Sequence, residues 1–160
     1  MSEPLREQIL GAMVALLATM TGDRPGADGQ PWGQYPNDPI VTRGYLDEAQ
    51  VNQFPALFVT RRAGSSVKER TTVGAQVGVE HRFLIDIYGY AQTAQNVPAG
   101  TWLERLWDDV YTTLMKDWTL GGICEQLTFD GEDDYDEDGV KAGFRMGLTA
   151  ILYESKAIGA

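Results

Sequence analysis

Residues 140–153, VKAGFRMGLTAILY, place an apolar side chain at every second position: Val140, Ala142, Phe144, Met146, Leu148, Ala150 and Leu152. A period of two sends all of them to one face of an extended chain, so the segment predicts a strand with one buried face. Residues 77–90, VGVEHRFLIDIYGY, repeat the pattern, with Val77, Val79, Phe83, Ile85 and Ile87 set against Glu80, Arg82 and Asp86. A short apolar run behind a proline, PALFVTRR at 55–62, predicts a further strand, and IVTRGYL at 40–46 is read as another. In ICEQLTFD at 123–130, Ile123, Leu127 and Phe129 share a face, with Glu125 as the exception.

Two segments follow the helical period instead. Leu5, Ile9, Met13, Leu16, Leu17 and Met20 predict an amphipathic helix over 3–20, with Ser2 as its cap, Pro4 in its first turn and Gly22 as its stop. Leu103, Leu106, Trp107, Val110 and Leu114 predict a second over 101–118, with Glu104, Asp108, Asp109 and Lys116 off the stripe. Thr101 and Glu104 have the spacing of a capping box at its start. Between these elements, 22–39 holds four prolines and four glycines and is read as a long irregular loop. Residues 63–76 are polar and read as a second flexible loop, and the tail from about 155 reads as loose.

Strands and helices do not alternate strictly, so the expected class is α+β: a largely antiparallel sheet of about four to five strands with two main helices packed on it. The length of 160 residues fits one domain spanning 1–160. The apolar run at 9–20 is too short to span a bilayer, and the N-terminus lacks the positive excess of a secretory signal. A soluble, unprocessed chain with no membrane partner is expected.

Charge narrows the function. The formal net charge is -10, which repels phosphate and argues against sequence reading of nucleic acid. Cys124 is the one cysteine and His81 the one histidine, which excludes an internal disulfide, a cysteine zinc cluster and a multi-histidine metal site. His81 falls on the apolar side of its strand and reads as a core histidine; Cys124 reads as a small buried hydrophobe. No P-loop, GxGxxG, GxSxG or HExxH occurs, so no catalytic residue and no cofactor is assigned.

Eight of the 23 acidic residues lie between Glu125 and Asp138. Asp134, Asp136, Asp138 and Gly139 match the opening of an EF-hand calcium loop, yet its twelfth position would be Arg145, a cation where a bidentate glutamate is needed. The segment therefore reads first as an acidic hairpin tip with Asp-Gly turn chemistry, its rim formed by Asp130, Glu132, Asp133, Asp134, Asp136, Glu137 and Asp138. A weak metal site on Asp134, Asp136 and Asp138, in a calcium-binding interaction module, is the alternative from a different class. Basic residues collect at Arg61, Arg62, Lys68 and Arg70, which together with Trp32 and Tyr35 are the candidate interface residues.

The helix LREQILGAMVALLATM, the strand HRFLIDIYGYAQT, the helix LERLWDDVYTTLM and the closing pair ICEQLTFDGEDDYDEDG and FRMGLTAILYE resemble the phage tail terminator family, which includes the lambda tail terminator and related tail-completion proteins. The resemblance covers most of residues 3–154. It implies a structural virion protein without catalytic residues, forming a homo-oligomeric ring, usually a hexamer. Such a ring caps the tail tube, stops its polymerisation and joins the head connector. DNA passes through the lumen as cargo, and an acidic lining suits that passage. The expected location is the tail or neck of the virion, after assembly in the host cytoplasm. A neck adaptor joining head and tail is the alternative within the virion.

Overall fold

The computed structural model describes residues 4–20, 35, 37–44, 51–73, 76–136 and 140–157. Its fold is α+β. The elements run α1 (Leu5–Leu17), β1 (Ile40–Arg43), β2 (Ala56–Arg61), β3 (Ser66–Val73), β4 (Gln76–Gln92), α2 (Ala99–Lys116), β5 (Gln126–Asp136) and β6 (Lys141–Ala157). The strands form one six-stranded sheet in the order β1-β2-β4-β6-β5, with β3 paired to β4 beside that path. Among the described residues, only the β1–β2 pair is parallel.

The two strands with the strongest alternation form the centre. β4 and β6 pair antiparallel from Gln76↔Ala157 to Gln92↔Lys141 without a break. Phe83, Ile85 and Ile87 of β4 and Phe144, Met146, Leu148 and Ala150 of β6 are at most 1% exposed, and all belong to one core. Both helices cover that face. α1 contributes Ile9, Leu10, Met13 and Leu17, and α2 contributes Trp102, Leu103, Leu106, Val110 and Leu114. Strands of 17 residues extend roughly 55 Å at the usual rise, twice the ~27 Å of the 18-residue α2. The helices therefore cannot cover the whole ladder. Where β3 joins the first half of β4 and the last residues of β6, the sheet runs on as a three-stranded arm.

Several elements differ from the sequence reading. The segment 63–76 is not a loop: β3 occupies most of it, pairing antiparallel with β4 from Ser66↔Arg82 to Val73↔Gln76. This is the sixth strand. The chain end is not loose at 155, because β6 continues to Ala157 and its backbone is held by β4. α1 ends at Leu17 rather than at 20; Thr19 and Met20 turn back by bonding their N–H groups to the carbonyls of Leu16 and Leu17. Ser2 and most of 22–39 lie outside the described residues.

The expected capping box at Thr101 does not form. α2 already begins after Pro98, and no side chain of the N-cap residue closes its end. Instead the Ala99 N–H donates to Thr93 Oγ1 at 3.0 Å, and Trp102 Nε1 donates to the Ala94 carbonyl at 3.1 Å. The preceding turn therefore does the work of a cap and also seats the first aromatic of the helix.

Candidate interaction surface

The alternation that sends Ile85 and Ile87 into the core sends Asp86 to the opposite face. Asp86 is only 6% exposed, although both helices pack on the other side. Its cover is two arginines. Arg62 Nη1 donates to Asp86 Oδ1 at 3.1 Å and Arg145 Nη1 donates to the same oxygen at 2.9 Å. Arg62 Nη2 continues to Asp130 Oδ2 at 2.7 Å, which also accepts the Thr149 hydroxyl at 2.5 Å.

Two glycines make room for this span. Asp86 sits opposite Gly147, and Gly147 opposite Gly131, so two successive positions across the sheet carry no side chain. Arg62 lies in that gap, and a Cβ on Gly147 would collide with its Nη1. A β-bulge between Phe129 and Gly131, with Gly131 at φ +148°, places Asp130 and Gly131 in succession on the open face. The result is an ionic latch that reaches from Arg62, just after β2, over β4 and β6 to the edge strand β5. Farther along the arm, the Tyr153 hydroxyl donates to Glu80 Oε1 at 2.9 Å and Arg82 pairs with the same carboxylate.

The basic and acidic clusters thus meet within one chain at Arg62 and Asp130, rather than standing as two free patches. Arg61 is exposed at the end of β2 and Lys68 is exposed on β3; Arg70 lies on β3 beyond it. Trp32 falls outside the described residues. Tyr35 is not free for a partner: it is 8% exposed, its hydroxyl donates to Asp109 Oδ2, and its ring packs 5.9 Å from that of Trp102. Burial, reinforced by the hydrogen bond to the Asp109 carboxylate, raises its pKa.

The acidic segment is a strand rather than a projecting loop as far as Asp136. Asp133, Asp134 and Asp136 lie in the β5–β6 ladder opposite Arg145, Phe144 and Ala142. An EF-hand loop needs its first positions free to wrap an ion, and a strand ladder forbids that wrapping. Among the described residues, no three His, Cys, Asp or Glu side chains gather to hold a metal ion. Glu132 is exposed on β5, while Glu137 and Asp138 lie outside the described residues.

The edge beside these acids carries an aromatic cluster that the sequence reading did not assemble. Trp107 and Tyr111 of α2 stack at 5.2 Å and 7°, and Phe129 of β5 meets both edge-on at 5.7 and 5.6 Å. Phe129 remains 37% exposed, and Trp107 Nε1 is buried with no acceptor among the described residues. The (i, i+4) spacing of Trp107 and Tyr111 was visible in the sequence; their closeness to Phe129 depends on tertiary packing.

His81 is half-buried and is not alone. Its Nε2 lies 2.5 Å from Glu154 Oε1 and its Nδ1 lies 3.5 Å from Arg6 Nη2, so the carboxylate that the sequence did not place near it comes from β6. Arg6 also lies over the Phe83 ring at 5.2 Å. These contacts tie the start of α1 to the arm. Cys124 is buried just before β5, and burial pushes its thiol pKa up to about 11. A cavity of about 150 Å³ lies between Tyr35, Asn52, Gln53, Phe54, Gln92 and Trp102.

No described helix is long and apolar enough to cross a membrane. No protein-family model matches the chain, and no curated protein matches it significantly.

Proposed function

We propose that this chain is a phage tail terminator: a structural, non-enzymatic virion subunit that assembles as a ring, most simply a hexamer, on the end of the tail tube. The reading is supported by the order of elements that carries the resemblance. The strand with RFLIDIYG (β4) is followed by the helix with LERLWDDVY (α2) and then by a closing antiparallel pair, β5 and β6. The observation that carries most is that β4 and β6 form the centre of one sheet with both helices on a single face and a small cluster of Val51, Ala56, Phe58 and Tyr90 with the ionic latch on the other, so that β3 and β5 are left at the outer edges for neighbours. A net charge of -10 suits a ring whose lumen lets DNA pass without holding it. On this reading the partners are further copies of the chain, the tail tube protein and the head connector, and the location is the tail or neck.

The test is to add the purified chain to polymerising tail tube protein. Capped tubes of defined length, with a ring at one end in negative stain, support the reading. Tubes that elongate unchecked, with no protein at their ends, sink it. Binding to the purified connector but not to the tube would move the chain to the neck.

A further inference from the structure

We propose that copies of this chain join edge to edge, β3 of one copy adding to β5 of the next and continuing the sheet. This deepens the assembly reading and rests on it only in requiring that copies meet. β5 ends the main strand path, and β3 is paired on one side only, so each presents a row of backbone donors and acceptors without a strand beside it among the described residues.

Like edges do not suit each other. β5 carries Glu132, Asp133, Asp134 and Asp136 besides Asp130, which Arg62 already holds, and no cation of its own. Two such strands side by side would put carboxylate against carboxylate, which destabilises a pair. β3 carries Lys68 and Arg70 against the single Glu69, and Arg61 stands exposed just before it. The contact is therefore heterologous, one surface meeting a different one, which is the kind that can close into a ring.

Face parity supplies a second, independent argument. Val67 sits opposite His81 in the register, and Phe129 sits opposite Leu148. His81 and Leu148 both point to the helix side of the sheet, on the same alternation as Phe83 and Met146. If the sheet continues with all helices on one side, Val67 and Phe129 fall on the same face of neighbouring strands. They are 56% and 37% exposed, two of the few large apolar side chains left open to water among the described residues. Lys68 then falls on the opposite face, the one that carries Asp130. A strand edge protected only by charge has no need of an exposed aromatic backed by Trp107 and Tyr111. Here exposed apolar side chains lie beside polar ones, as at the core and rim of an interface.

The experiment uses the full chain with Cys124→Ser, in which Ser66→Cys and Thr128→Cys are made separately. Both positions lie on the open face of their edge strands, and neighbouring strands run only ~4.8 Å apart. Mixed at low salt and high concentration with a short bismaleimide, the two variants should give a covalent dimer that neither gives alone. Adding Lys68→Glu to the Ser66→Cys chain should lower the mixed yield about tenfold, since like charges then face each other. No dimer above the single-variant background overturns the proposal, as does dimer formation by either variant alone at the mixed yield. An unchanged yield with Lys68→Glu overturns the charge argument. Tube capping by the wild-type chain is scored separately. Cross-linking without capping leaves the edge pairing and sinks the terminator reading; capping without cross-linking does the reverse.

Discussion

The Arg62 guanidinium rests on the backbone of Gly147, and the missing side chain there is what lets it reach both Asp86 and Asp130. Gly147→Ala should therefore push the arginine off its seat and weaken both bonds. Charge-assisted hydrogen bonds contribute more than neutral ones, but Arg62 is partly open to water, so the expected loss is about 1–3 kcal/mol. In an Arg62→Ala background the collision with Arg62 is gone and only the Arg145 guanidinium, 3.2 Å from the new methyl, must give slightly, while alanine suits a strand better than glycine does. The penalty should then vanish or reverse. A double-mutant cycle by urea unfolding reads this directly, and additive penalties would mean that Arg62 does not occupy the gap.

Tyr35 couples stability to alkaline pH. Its folded pKa is raised, by burial first and by Asp109 second, above the unfolded value of about 10. The protonated form is thus favoured by folding. The contribution is fully present below about pH 10 and is lost as pH rises above it. Urea midpoints measured on either side of that pH should fall more steeply for the wild type than for Tyr35→Phe. Parallel slopes would mean that Tyr35 is as free to ionise in the fold as out of it.

Cys124 should be a slow thiol. With its pKa pushed up to about 11 by burial, very little thiolate exists at neutral pH, and the sulfur is also shielded. Reaction with a disulfide reagent at pH 8 should be slow in the native chain and at least tenfold faster in urea, where the pKa returns to about 8.5. Equal rates would place the thiol at the surface. The same inertness means that Cys124 would compete little for a cross-linker even where it is left in place.

The parts of the fold legible in the sequence are those whose signal is burial. Phe83 through Ile87 and Ala142 through Leu152 alternate because one face meets the helices, and the α2 stripe is visible for the same reason. β3 is hidden because the ladder to β4 holds it while few of its residues are apolar; SVKERTTV reads as a loop when pairing is unseen. Charge density disguises the second half of β5 in the same way, while its first half reads as a strand from ICEQLTFD. Five acids read as a solvated tip, yet the ladder to β6 keeps the backbone extended through Asp136. Thr101 and Glu104 match a capping box, but Pro98 had already started the helix and the Thr93 hydroxyl had taken the free N–H. The latch could not be read at all. Arg62 is 24 residues from Asp86 and 68 from Asp130, and only the strand order brings them together.

The acidic edge should make stability depend on salt. Along a strand, residues two apart are roughly 7 Å from each other. Asp134 and Asp136 are so spaced, with Asp133 beside them, and the Debye length is ~10 Å at 0.1 M salt and ~30 Å at 0.01 M. Their repulsion is therefore nearly unscreened in dilute buffer and partly reduced at ~0.1 M, where ~7 Å still lies within the Debye length. The net charge of -10 adds to it in the same direction. The melting temperature should rise as salt is raised through this range. Replacing Asp133, Asp134 and Asp136 together with asparagine should keep the fold, raise the low-salt melting temperature and flatten the salt dependence. If the triple variant keeps the full slope, the repulsion lies elsewhere on the chain. If it melts lower than the wild type in dilute buffer, these carboxylates are held by cations, with Arg145 opposite Asp133 the first to examine.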